Sequence, residues 1–122
     1  GASKRNFIDN YDFSNGIYLA LLKGSVKSSY HFSSKNFYSI KDVIKMICRL
    51  KNFKYKDLIK IKKDRVGKDK TYKLNCKKTI KELDWKPRNS FENSLKKIIK
   101  FYETNLSKLK NLETVYYDKN FK

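Results

Sequence analysis

The chain has 122 residues, with 30 Lys or Arg against 12 Asp or Glu and a formal charge of +18. That length allows one domain with one modest core, and 39% apolar residues is low even for that. The charge invites a nucleic-acid reading. Yet only four of the basic residues are arginines (Arg5, Arg49, Arg65, Arg88), and the lysines are spread along the whole chain between core positions. Nucleic-acid readout leans on arginine forks, so a basic nucleic-acid-binding module is the weaker alternative. Abundant Lys and Asn with scarce Gly, Pro and Ala is the drift of an AT-rich coding sequence.

In chain order, Gly1-Ala2-Ser3 reads as the remnant of a cleaved tag. "RNFIDNYD" starts extended through Phe7 and Ile8. "DFSNGIYLALLKG" is predicted as a helix capped by Asp12 or Ser14, with an apolar stripe of Ile17, Tyr18, Leu21 and Leu22 and a stop at Gly24. Ser29–Phe32, "SYHF", is a strand candidate, followed by a loop, "SSKN". Ser39 with Asp42 forms the pattern of a capping box ahead of an amphipathic helix carrying Ile40, Val43, Ile44, Ile47 and Leu50. "DLIKIKK", with Leu58, Ile59 and Ile61, is a second strand candidate, and "DRVGKDKTY" (Asp64–Tyr72) reads as a loop. Asn75 is placed to cap a short helix through Ile80 and Leu83 that stops near Trp85. Pro87 separates it from a last helix opened by Ser90 and Glu92. That helix shows Phe91, Leu95, Ile98, Ile99 and Tyr102 on one face, continued by Leu106, Leu109 and Leu112, with residues 106–122 as an extension and frayed tail. This order predicts a helix-rich α/β piece with two or three short strands.

Much chemistry is excluded. The four glycines are too scattered for a dinucleotide fingerprint or a P-loop, and none of the nine tyrosines has a lysine four residues on. One histidine, His31, and two distant cysteines, Cys48 and Cys76, build no metal site and fit buried free thiols in a reducing compartment. No run approaches the roughly 20 apolar residues of a membrane span. Acid pairs such as Asp64 and Asp69 are flanked by cations that keep both ionised, which is wrong for a general acid. No catalytic residue is assigned, and a helical interaction module without a small-molecule role is a third alternative.

The stretch "DRVGKDKTYKLNCKKTIKELDWKPRNSFENSLKKIIKFYETN" resembles the C-terminal end of the NAD-dependent epimerase/dehydratase family, the extended short-chain dehydrogenase/reductases that act on nucleotide sugars. The residues that carry the resemblance are Asp64, Arg65, Gly67, Asp69, Tyr72, Glu82, Leu83, Trp85, Pro87, Phe91, Glu92, Tyr102 and Asn105. "RNFIDNYDFSNGIYLALLKG" and "YHFSSKNFYSIKDVIKMI" resemble the preceding family segments in the right order, so the likeness runs from about Lys4 to Asn105. Val66, Lys68 and Asp84 depart from the family's Pro, His and Gly.

The resemblance implies a C-terminal substrate-binding lobe, residues 4–105, lacking the Rossmann domain that holds NAD. It implies that Arg5, Asn36, Asp64 and Arg65 hold the nucleotide-diphosphate of a nucleotide sugar such as a dTDP-hexose. The parent would be a cytoplasmic dehydratase or epimerase, dimeric through its cofactor domain. The isolated lobe is expected to be monomeric, to hold no cofactor and to be inactive alone.

Overall fold

The computed structural model describes residues 1–60, 67 and 69–110. Its elements are β1 (Lys4–Asn6), α1 (Asn10–Lys23), β2 (Phe37–Ser39), α2 (Ile40–Lys51), a 3-10 turn (Tyr55–Asp57), β3 (Thr71–Tyr72), α3 (Lys77–Leu83) and α4 (Phe91–Lys110). The helix-rich α/β expectation holds. The three strands form one sheet in the order β2-β1-β3, with β2 antiparallel and β3 parallel to β1.

The core sits where α1, α3 and the approach to α4 converge. Trp85 and Leu83 are fully enclosed, beside Thr79. The indole meets the Phe32 ring edge-on at 5.0 Å, and its Nε1–H donates to the Asp12 carbonyl at 2.9 Å. Asp12 is not the cap of α1. Its carboxylate is buried and accepts from the Arg88 and Asn89 backbone N–H groups and from Asn89 Nδ2, tying α1 to the segment before α4. The cap is Asp9, three residues earlier, whose side chain accepts from the Tyr11 N–H. Capping pattern alone cannot choose between two aspartates; burial decides it.

α1 crosses this core at Gly16, where an added Cβ would lie 2.6 Å from the Phe32 ring. Gly16→Ala should therefore destabilise by about 1–3 kcal/mol through overpacking. At an open helix site the same change stabilises by about 1 kcal/mol. Urea unfolding separates the two signs.

The capping box at Ser39 and Asp42 is present in both directions and opens α2 as expected. The Ser3 and Gly1 carbonyls accept from Ile40 and Lys41 N–H, so the first three residues pack on the start of α2. Asn75 accepts from the Lys77 N–H at the start of α3, although Cys76 occupies the capping position. α3 ends at Asp84, held left-handed at φ 50° where glycine is favoured. Asp84→Gly should raise stability by about 0.5–1 kcal/mol, visible as a higher urea midpoint.

Two strand expectations fail, and two apolar stripes are largely uncovered. Ser29–Phe32 form no strand; the second strand is Phe37–Ser39, which pairs with β1. Leu58–Lys60 are not strand either, and Ile61–Lys63 lie outside the described residues. The stripe of α1 faces outward: Ile17, Tyr18, Leu21 and Leu22 are all exposed. On α4, Leu95 is buried, but Ile98, Tyr102 and Leu106 are exposed, and Leu112 lies outside the described residues. Cys48 is buried and Cys76 half-buried, both as free thiols.

Three carboxylates respond to these contacts. The Ser94 hydroxyl bonded to Asp9, the Ser39 hydroxyl and N–H on Asp42, and Lys96 with Arg49 around Glu92 all hold the carboxyl below its ordinary range. A depressed folded-state value contributes stability above the unfolded value and loses it as pH falls through the folded one. Thermal unfolding should therefore show a falling midpoint below about pH 4.

Candidate functional site

β1 carries the first candidate residue. Arg5 is half-buried and paired across the sheet with Tyr38 of β2 and Tyr72 of β3. Its Nη1 donates to the Lys4 carbonyl at 2.7 Å and its Nη2 to the Asp69 carbonyl at 3.0 Å. The Lys4 N–H also donates to the Lys70 carbonyl. The guanidinium is thus fixed at the end of the "DRVGKDKTY" stretch, although 64 residues separate the bonded partners. Two backbone bonds leave further N–H donors of the fork for an anion.

Asn36 is exposed on the turn leading into β2. Its carbonyl accepts from Asn6 Nδ2 and Ser34 Oγ, which fixes the turn against β1. Gly67 is exposed with φ 77°, a conformation that suits glycine in a tight turn. Asp64 and Arg65 lie outside the described residues, as do Val66 and Lys68. The sheet therefore brings together Arg5, the Asn36 turn and the Asp69–Tyr72 end of the loop.

A cleft of about 660 Å³ adjoins this region, and sequence reasoning did not anticipate it. Asn6, Ser33, Ser34, Phe37, Leu74 and Cys76 contribute to its walls, with Lys35, Lys73, Lys77 and Lys86 also lining it. Arg5 and Asn36 do not line it; successive strand residues point to opposite faces, and Asn6 is the one turned into the cleft. Asn6 Oδ1 is buried without a hydrogen-bond partner among the described residues. Burial raises the Cys76 thiol above its ordinary range, so it is not an activated nucleophile. Among the described residues no group of His, Cys, Asp or Glu could hold a metal ion, and no helix is long and apolar enough to cross a membrane.

Comparison with known proteins gives this geometry a context. No family model matches the chain. A curated relative from Haemophilus influenzae, dTDP-glucose 4,6-dehydratase, is 33% identical over 117 residues, covering 88% of this chain and 35% of the relative. The chain is similar to the dTDP-glucose 4,6-dehydratases along nearly all its length. The crystal structure of the dTDP-glucose 4,6-dehydratase of Bacillus anthracis, in complex with NAD, superposes with a TM-score of 0.80 at 28% identity, over 88% of this chain and 33% of that one. The Streptomyces venezuelae dTDP-glucose 4,6-dehydratase, also with NAD bound, gives a TM-score of 0.82 at 25% identity over the same shares. The nucleotide-sugar dehydratase resemblance read from the motifs is thus borne out in sequence and fold. The chain spans about a third of the length of these dehydratases.

Proposed function

We propose that this chain is the substrate-binding part of an NAD-dependent nucleotide-sugar dehydratase, holding the nucleotide-diphosphate of a dTDP-hexose through Arg5, Asn36, Asp64 and Arg65. The observation that carries the reading is the fixed Arg5 fork at the end of the loop that contains Arg65. A guanidinium fixed beside this stretch, joined by that of Arg65, suits the paired charges of a diphosphate, since each makes short, charge-assisted bonds. Asp64 orients its neighbouring arginine or accepts from a ribose hydroxyl, and Asn36 bonds the nucleotide end. An epimerase of the same family is the second reading, favoured by the same site.

The described residues offer NAD no cradle: Gly16 is packed against Phe32, Gly24 closes α1, and Gly67 stands alone in a turn. NAD and the redox chemistry it supplies belong to the rest of the parent enzyme, a cytoplasmic protein on this reading. This chain's part is to bind the substrate's anionic end and so orient the sugar. Incubation of the pure chain with dTDP-glucose and NAD should yield no 4-keto product, and turnover would overturn that division of labour. In the full-length parent, Arg5→Lys keeps the charge and loses the fork. It should weaken dTDP binding about tenfold by calorimetry; unchanged affinity would remove Arg5 from the site.

A further inference from the structure

The cleft beside Asn6 has no part in the nucleotide site described above, yet it is built like a binding site. Its volume of about 660 Å³ lies within the range of small-molecule sites. Its floor is apolar: Phe37 comes from β2, Leu74 from the exit of β3, Ile80 from α3 and Pro87 from the connector to α4. Another recess, at Asp42, Lys45, Met46 and Arg49, has only about 220 Å³ and a carboxylate in its wall.

The neutral polar groups around this floor are committed within the fold. Asn6 Nδ2 donates to the Ser34 and Asn36 carbonyls at 2.8 and 3.1 Å. The Ser33 hydroxyl donates to the Ser34 carbonyl, and the Ser34 hydroxyl to that of Asn36. Asn75 Oδ1 accepts from the Lys77 N–H at 3.0 Å. Asn6 Oδ1 is enclosed and out of a ligand's reach. A sugar or nucleoside, which needs many neutral partners, is therefore poorly served here. Charge is what the walls still offer. Lys35, Lys73, Lys77 and Lys86 line the cleft, and among the described residues no Asp or Glu does. Lys73 Nζ lies 5.6 Å from the centre of the Phe37 ring, so this ammonium stands over the apolar floor. Beside such low-dielectric surface it attracts an anion more strongly than it would in open water.

We propose that this cleft is a second ligand site, one that takes a small amphiphilic anion. The ligand's apolar ring system lies on Phe37, Leu74, Ile80 and Pro87, and its carboxylate or phosphate sits among the lysines of the rim. The apolar floor supplies burial, and the lysines supply the selection of an anion over a neutral or cationic ligand of the same shape. The site is distinct from the nucleotide site, because the two use opposite faces of one sheet. Asn6 lines the cleft and Arg5 does not, and on the turn into β2 Lys35 and Phe37 line it while Asn36 between them does not. The inference therefore stands apart from the nucleotide-binding reading.

Cys76 is a built-in reporter, since it lines the cleft as a free thiol while Cys48 is buried outside it. Alkylation of Cys76 by the neutral reagent iodoacetamide is followed by peptide mass spectrometry, on this chain and on the full-length parent. The probes are naphthoate, naphthyl phosphate, the neutral naphthalenemethanol and the cation naphthylmethylammonium. Both anions should slow alkylation at least about fivefold at saturation in both proteins, because the thiol loses access to the reagent. The tighter of the two identifies the preferred head group. The alcohol should need about ten times the concentration of the better anion, and the ammonium should give no protection. Lys35→Gln combined with Lys73→Gln should abolish the preference for anion over alcohol. Equal protection by alcohol and anion, a preference that survives the double substitution, or no protection by any probe would overturn the proposal. So would a Cys76 that is unreactive in the parent or protected only in this chain, which would mean that the rest of the parent fills the cleft. Protection by dTDP would also overturn it, by making the cleft part of the nucleotide site, whereas failure of dTDP to bind at Arg5 would leave it standing.

Discussion

Trp85→Ala is expected to unfold the domain at 25 °C. The indole is 1% exposed and is the largest of the fully buried side chains. Its loss leaves a cavity against Phe32 and removes the donor to the Asp12 carbonyl, which joins α1 to the connector before α4. Truncating a buried Trp costs about 3–5 kcal/mol, and orphaning a buried carbonyl adds about 1–3 kcal/mol. A domain of this size typically has about 5–15 kcal/mol, and the small enclosed core here puts it near the low end. Near-UV circular dichroism should collapse and amide dispersion be lost. Phe101→Ala provides the contrast: Phe101 is exposed on α4, and the change should stay within about 0.5 kcal/mol. Equal effects would mean that the core has been misplaced.

Arg65→Ala in the full-length parent should weaken nucleotide-diphosphate binding by about 10- to 100-fold. One charge-assisted contact contributes about 1.5–3 kcal/mol when its partner is a phosphate. Lys68→Ala removes the same unit charge three residues away and should cost no more than about threefold, the loss expected of a charge that makes no fitted contact. Bulk electrostatics makes the two losses equal, so their ratio separates a fitted site from a merely basic surface.

What the sequence disclosed depended on how local the cause was. The capping box at Ser39 and the stops of α1 and α3 follow from contacts within a few residues. Two readings failed and one stayed incomplete because their causes were distant. Asp12 looked like a cap but serves the segment at Arg88–Asn89, which no local pattern reveals. The Ile17–Leu22 stripe was apolar as read, yet periodicity identifies a face and not what covers it. Ser29–Phe32 has strand chemistry without a ladder partner among the described residues, and a strand exists only where a second one pairs with it. Of the site, Arg5 was legible only through the family pattern. Its anchoring to the Asp69 carbonyl depends on the parallel pairing of β1 with β3, two short strands that composition does not signal. The cleft beside Asn6 had no sequence signal beyond strand alternation, because elements from four parts of the chain form it.

The most direct test of the nucleotide-binding claim is an amide chemical-shift titration of this chain with dTDP. The expected dissociation constant is about 1 mM, because a partial pocket leaves much of the ordering cost uncompensated. Shifts should centre on Arg5, Asn36 and Asp64–Tyr72, persist in 150 mM salt (a Debye length of about 8 Å) and disappear in Arg65→Ala but not in Lys68→Ala. Shifts confined to the lysine-bearing faces of α2 and α4, fading with salt and indifferent to Arg65, would contradict the account.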